Sequence, residues 1–465
     1  MIFLKRVLSI LLAFTCIFGL AGCSNSDKNN SILSNSTISA DFLEPVKNYA
    51  DDLYSTAEGL TGFSIVGTQS DKDRANYIYE AFKDIGLSNV EKVPVMLNSW
   101  EYTPMHILAD CNCADNSLIT MRLMGTYPTN FNFEDTSLIM HYVESKSDIT
   151  PEYIEGYAVM LPITDSLESL NNAVKNVSVY NPALIITSST LTDSTNVYNI
   201  NTNYMQNIDA PIISIPINSY SLLKNAYDLG VNNDTKMELE LTGSSSISEE
   251  LTESYFIQGE IKGKSDKVIY ITSHYDSIHN NYMGSCVSTG ELLTMAKRLC
   301  SEGFKPDYTI RFLATTGQEW GLVDKGQNVG IETYLNSLSD KEKEKIQGVF
   351  VLDGSYPVTD GIFTQTSVSE ELLDKVEKYN TDYFAKNDIK FINTVSVLGE
   401  QNDYITEADV WDNLGIPTIL TSEIKNSPFV YNNTSADIES IVINEDLLNY
   451  YMNYYIGLVK IMSEK

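Results

Sequence analysis

Three strand-like runs each end in a side chain able to do chemistry. Val268-Ile-Tyr-Ile-Thr-Ser273 runs into His274-Tyr275-Asp276. Tyr308-Thr-Ile-Arg-Phe-Leu-Ala314 is followed by Thr315-Thr316-Gly317 and then by Gln318-Glu319. Gly348-Val-Phe-Val-Leu352 ends at Asp353. In an open parallel sheet, sites form at the C-terminal edge of the strands. A histidine gathered there with carboxylates is the chemistry of a metal site. Gln318 stands next to Glu319, where a carboxylate would be able to take a proton, and an amide cannot do so at neutral pH.

The elements that must position these residues follow from the pattern around them. From Glu253 onward, strands at 267–273, 308–314, 348–353 and near 416–421 alternate with helices at 290–301, 329–337, 369–386 and 445–462. That alternation predicts an α/β fold, a mostly parallel mixed sheet flanked by helices. Upstream, helical patterns at 43–60 and 71–85 precede a strand at 90–97. Between Leu118 and Thr242 the texture changes to short β-like runs at 138–142, 157–162, 183–187 and 211–216, with helix-like segments at 166–177 and 220–228. This predicts an inserted α+β domain. A chain of 465 residues exceeds one ordinary core. The expected parts are 41–117 and 251–465 for the α/β domain and 118–250 for the insert.

The N-terminus reads as an export signal. Lys5 and Arg6 precede the mostly apolar Val7 to Leu20, and Leu20-Ala21-Gly22-Cys23 has the form of a bacterial lipobox. Residues 1–22 are therefore expected to be removed and Cys23 to be acylated, leaving a lipid anchor in the cell membrane on its extracytoplasmic face. Residues 23–40 are polar and read as a flexible tether. Loss of the signal leaves 29 basic against 62 acidic side chains, a net of −33. This excludes nucleic acid as a partner and argues against anionic lipid as one, since both need basic patches. Cys111, Cys113, Cys286 and Cys300 remain in a compartment that permits disulfides, with the pairing open. Cys111-Asn-Cys113 lacks the second pair a zinc knuckle needs.

Taken together, the landmarks resemble the co-catalytic zinc exopeptidase family of aminopeptidase Y and bacterial leucyl aminopeptidases. The matching segments are Val268 to Ser277, Ile310-Arg-Phe-Leu-Ala314 with Gln318-Glu319-Trp-Gly-Leu322, Val349-Phe-Val-Leu-Asp353, Gly415-Ile-Pro417 and Tyr431-Asn-Asn433-Thr-Ser-Ala-Asp437. The insert resembles a protease-associated domain at Glu155-Gly-Tyr-Ala-Val-Met-Leu161, Asn181-Pro-Ala-Leu-Ile-Ile186 and Ala210-Pro-Ile-Ile-Ser-Ile215. The resemblance implies two zinc ions sharing an aspartate, with a Glu-Glu pair whose first member is the catalytic base. It assigns His274 and Asp353 to one metal, Glu319 to the other, and Asp276 to the support of the His274 ring. It also implies three losses: the base is Gln318, the bridging aspartate falls at Gly284 or Ser285, and the C-terminal histidine falls at Asn433.

These losses carry a functional expectation. A general base contributes roughly 10²–10⁴-fold to rate, and two ligands fall short of the three or four of a stable zinc site. The chain is expected to be an impaired or inactive metallopeptidase homologue with doubtful zinc binding, able to hold a peptide or protein ligand. The alternatives are an active aminopeptidase with a non-standard metal site and a non-enzymatic surface binding module. Cys286 is read as a buried helix-start cysteine before a replacement ligand, and His279 as a loop histidine. Glu423 is a further substitute just past a strand, and Asp403, Glu407 and Asp409 are read as a solvated acidic face.

Overall fold

The protein is represented by a computed structural model that describes residues 41–56, 63–103, 105–110, 119–123, 125–126, 128–191, 208–278, 281–323, 325–353, 363–387, 392–398, 406–423 and 441–465. At its centre lie four parallel strands, β10 (Val268–His274), β11 (Thr309–Thr315), β12 (Ile346–Val351) and β15 (Thr418–Glu423). Their order across the sheet is β15-β12-β10-β11. Every residue of β10 is buried. An unbroken apolar run is what a parallel strand covered on both faces requires.

The covering helices fall into two groups. On one side α1 (Leu43–Ser55), α2 (Gln69–Ile85), α6 (Ser288–Ser301) and α11 (Glu445–Met462) pack together over β10 and β11. On the other, α7 (Val329–Ser337) and α10 (Glu407–Asn413) pack on each other and against β1 (Ser88–Tyr102), β12 and β15. Tyr270 of β10 meets Tyr334 and Trp411 at ring distances of 6.3 and 5.3 Å, which ties this second layer to the sheet. α2 begins two residues before the position expected from the sequence, because Thr68 caps it by accepting the Asp71 N–H. It ends where expected, at Gly86, whose φ of +89° is left-handed.

The sheet continues through β9 (Glu238–Ile261), a 24-residue strand. β9 pairs antiparallel with β11 and β1 near its C-terminal end. Its N-terminal end pairs with β2 (Met105–Asp110) and β5 (Phe131–Tyr142). Beyond β5 come β6 (Ala158–Met160), β7 (Leu184–Thr187) and β8 (Ile212–Ser214), three buried parallel strands. Helices Leu167–Ser178 and Ile217–Asn232 belong to this region, which carries two hydrophobic clusters of its own. The expected boundary at 250 falls inside β9, so one continuous strand serves both regions. Cys111 and Cys113 lie outside the described residues. Cys286 is buried and Cys300 partly buried.

The far edge of the sheet is formed by β13 (Phe363–Val368) and β14 (Ile392–Val397). β13 is antiparallel to β15, which makes the sheet mixed. α9 (Leu373–Asn387) packs on β14 and on α11.

Candidate functional site

His274 is the last residue of β10, Thr315 the last of β11, and Asp353 lies two residues beyond β12. His274 pairs directly with Thr315 across the sheet. The parallel register therefore brings the three strand ends to one edge, as expected from the sequence.

The loop after β11 is shaped by two glycines and held by one carboxylate. Gly317 has φ +78°, and a Cβ there would lie 2.6 Å from Leu97 Cδ1. Gly330 at the start of α7 packs so closely that a Cβ would fall 1.7 Å from the Thr316 carbonyl oxygen. The turn aims two backbone amides at the fully buried Asp276. Its Oδ2 accepts from Gly317 N at 3.2 Å and Glu319 N at 2.9 Å. Asp276 Oδ1 lies 3.2 Å from His274 Nδ1. One carboxylate thus orients the imidazole and fixes the loop that carries Gln318 and Glu319.

Both remaining carboxylates accept from a side-chain amide. Gln318 Nε2 donates to Asp353 Oδ2 at 2.8 Å, and Asn281 Nδ2 donates to Glu319 Oε1 at 3.0 Å. A carboxylate only accepts, so each amide must present its nitrogen to it. Asn281 sits with φ +36° at the head of a π-helical turn, Tyr282–Val287, that leads into α6. Left-handed backbone is a conformation asparagine tolerates. Ser285, the position matched to the bridging aspartate, is fully buried in that turn, and its hydroxyl donates to the Asn281 carbonyl at 2.9 Å. Cys286 is buried beside it, as read from the sequence.

A fourth carboxylate enters from α10. Glu407 is 1 % exposed, and its Oε1 accepts from Thr315 Oγ1 at 2.5 Å while Oε2 has no hydrogen-bond partner. The expectation that Glu407 belongs to a solvated face is corrected here: the first turn of α10 lies over the end of β11 and turns Glu407 inward. Asp409 does what its position in a helix's first turn suggests. Its Oδ2 accepts from Thr406 N at 2.7 Å and closes a capping box. Glu423 ends β15. Cys23, His279, Asp403 and Asn433 lie outside the described residues.

The electrostatics follow from crowding these groups in a dry place. Burial opposes charge on His274, but the Asp276 hydrogen bond and the carboxylates of Asp353, Asp276 and Glu319 hold the imidazole up at about 10. Burial raises Glu319 to about 8, with Asp276 and Asp353 adding to the rise. Burial likewise raises Glu407 to about 7, against the pull of the Thr315 hydrogen bond and His274. Nearby, buried Asp71 is raised to about 6, chiefly by burial and against the hydrogen bond from Ser254.

His274 Nε2 lies 3.9 Å from Asp353 Oδ1, a close approach between two of the expected ligands. Among the described residues no three His, Cys, Asp or Glu side chains converge as a metal-binding group. More decisively, amide N–H groups point at the ligand carboxylates of both expected metals. The donor set as arranged does not fit a pair of zinc ions.

Comparison with known proteins agrees with this architecture. Residues 257–454 match the family described as Peptidase family M28. A peptidase M28 precursor from Shewanella amazonensis superposes with a TM-score of 0.69 at 16 % identity, over 91 % of this chain and 93 % of that one. A zinc aminopeptidase from Bacillus subtilis gives 0.62 at 17 %, over 90 % and 95 %. An aminopeptidase from an Aneurinibacillus species gives 0.58 at 16 %, over 90 % and 96 %. At these identities the structures establish the fold alone. No curated protein matches the chain. The strand order and the site at the strand ends are in keeping with the match of residues 257–454 to peptidase family M28.

Proposed function

We propose that this chain is a lipid-anchored extracytoplasmic protein that keeps the M28 scaffold, has lost its hydrolytic chemistry, and holds peptides without cutting them. The observation that carries this reading is the bond from Gln318 Nε2 to Asp353 Oδ2 at 2.8 Å. The residue at the base position is a hydrogen-bond donor aimed at an expected metal ligand. It can neither take a proton from water nor leave that carboxylate oxygen free for a cation. Retained peptide binding is supported by Gln318 Oε1 and Glu407 Oε2, two buried acceptors without partners. An ammonium group brings three donors and suits such a place. The anchor reading is supported by the lipobox at Leu20 to Cys23.

The experiment is hydrolysis of aminoacyl-p-nitroanilides by the purified mature chain with zinc supplied. Turnover at the buffer rate is expected, with saturable binding of unblocked peptides that N-terminal acetylation removes. A second reading, an active aminopeptidase with a non-standard metal, draws on Glu407, a buried carboxylate that shares the electrostatic field of His274 and Asp353. EDTA-sensitive hydrolysis abolished by Glu407→Gln would establish that reading instead. Membrane retention is checked separately: a Cys23→Ser chain should leave the membrane fraction.

A further inference from the structure

α10 sets two polar side chains over the sheet, and each keeps a hydrogen-bonding atom in reserve. Glu407 accepts from the Thr315 hydroxyl through Oε1 at 2.5 Å, while its Oε2 bonds to nothing among the described residues. One turn further on, the Trp411 ring lies 5.3 Å from that of Tyr270, and its indole N–H has no acceptor among the described residues. A third such group lies beneath them. Thr272 of β10 is fully buried, and its hydroxyl has no partner among the described residues.

Strand register brings the three together. Side chains two apart on a strand share a face. Thr272 therefore lies between Tyr270, which meets Trp411, and His274, whose cross-strand neighbour Thr315 holds Glu407. Leu313 and Val351 stand opposite Thr272 on β11 and β12. Both belong to the core cluster that contains Ala408 and Trp411, so α10 covers this face of β10. Glu407 and Trp411 are four positions apart, which puts them on one side of the helix. Glu407 is 1 % exposed, and Thr272 and Trp411 are not exposed at all.

The chemistry of the three groups selects the occupant. An indole N–H only donates, an ionised carboxylate only accepts, and a hydroxyl does either. A molecule that both accepts and donates satisfies all three. An ammonium group or a metal ion has no lone pair to offer the indole N–H. Water has two, and it serves Glu407 whether that carboxyl is ionised or protonated. A buried water commonly makes about three hydrogen bonds to groups of this kind.

We propose that one water molecule is bound between α10 and β10, accepting from Trp411 Nε1 and bridging Thr272 Oγ1 to Glu407 Oε2. This water fixes one oxygen of Glu407 as Thr315 fixes the other. The carboxyl group that α10 brings to the strand ends is thereby anchored to β10 and β11 together. Neither a peptide nor a metal is needed for the water to be held. A peptide ammonium that reaches Glu407 Oε2 takes the water's place there.

Thr272→Val tests the site, because it nearly keeps the side chain's shape and deletes its hydroxyl. With the water bound, the variant removes one of its partners, and the equilibrium constant for urea unfolding of the purified chain should rise about fivefold. If the hydroxyl were unpaired, or if Trp411 bonded Glu407 directly, valine would replace a desolvated hydroxyl with a methyl group and the constant would fall. An unchanged or lower constant overturns the proposal. Trp411→Phe removes the donor to the same water, so the double variant should lose clearly less than the sum of the two single losses. Additive losses overturn it. A high-resolution crystal structure of the parent chain reads the site without any variant. Ordered solvent within hydrogen-bond distance of all three atoms is expected. A direct Trp411–Glu407 bond, or no solvent peak there, overturns the proposal.

Discussion

Gln318 Nε2 stands 2.8 Å from Asp353 Oδ2, so the residue at the expected base position and an expected metal ligand form a hydrogen-bonded pair. Asn281 bears the same relation to Glu319 at 3.0 Å. In a metal centre these carboxylates would be balanced by cations. Here neutral side-chain amides donate a hydrogen bond to each of them.

The pairing makes Gln318→Glu costly rather than restorative. The new carboxylate would face Asp353 across hydrogen-bond distance, and like charges so placed cannot both ionise freely. A loss of about 1–3 kcal/mol is expected in urea unfolding at pH 8. The loss should shrink on acidification, as one proton comes to be shared between the two groups. Hydrolysis of aminoacyl-p-nitroanilides should stay at the buffer rate. A variant as stable as the parent at pH 8 would count against the pairing.

Asn281→Asp keeps a residue that tolerates left-handed backbone and removes only the donor. Glu319, 8 % exposed, would lose its amide donor and face a second carboxyl group whose ionisation it opposes. Unfolding free energy should fall by about 1–3 kcal/mol at neutral pH. The Tyr282–Val287 turn should also open locally, seen as faster amide exchange at Ser285. Unchanged exchange would mean that this amide does not hold the turn.

Asp71 supplies a pH dependence with a defined sign. Its folded-state value is about 6 against an ordinary 3.8, so the folded protein holds its proton more tightly than the unfolded chain. The stability it contributes is fully present below pH 3.8 and is lost as pH rises through 6. A rise of about two pH units corresponds to about 3 kcal/mol. Asp71→Asn should therefore gain stability over the parent progressively between pH 4 and pH 7. The hydroxyls of Ser254 and Thr316, which donate to Asp71, can each rotate to serve an amide. A difference that stays flat across this range would contradict the assignment.

Much of the site was legible in the sequence because strand ends are legible. His274, Glu319 and Asp353 each follow an apolar run whose burial sets its register, and a parallel sheet brings such ends to one edge. Gln318 could be seen as a missing base but not as a donor, since its partner lies 35 positions away. Glu407 was misread for a physical reason. In so acidic a chain an acid on a short helix defaults to solvent, and only the packing of α10 over Thr315 turns it inward. Asn281 carried no signal, because its role depends on a left-handed turn that spacing does not reveal. The 24-residue β9 was likewise hidden, as its polar middle resembles a linker while both ends pair with strands.

The central claim is that side-chain amides have taken over the metals' place at these carboxylates. Calorimetric titration of the EDTA-stripped chain with zinc tests it most directly, with His274→Ala as the control. The account predicts no stoichiometric binding that the control abolishes and the same thermal midpoint with and without zinc. Binding of one or two zinc ions per chain that stabilises the fold and disappears in His274→Ala would contradict it.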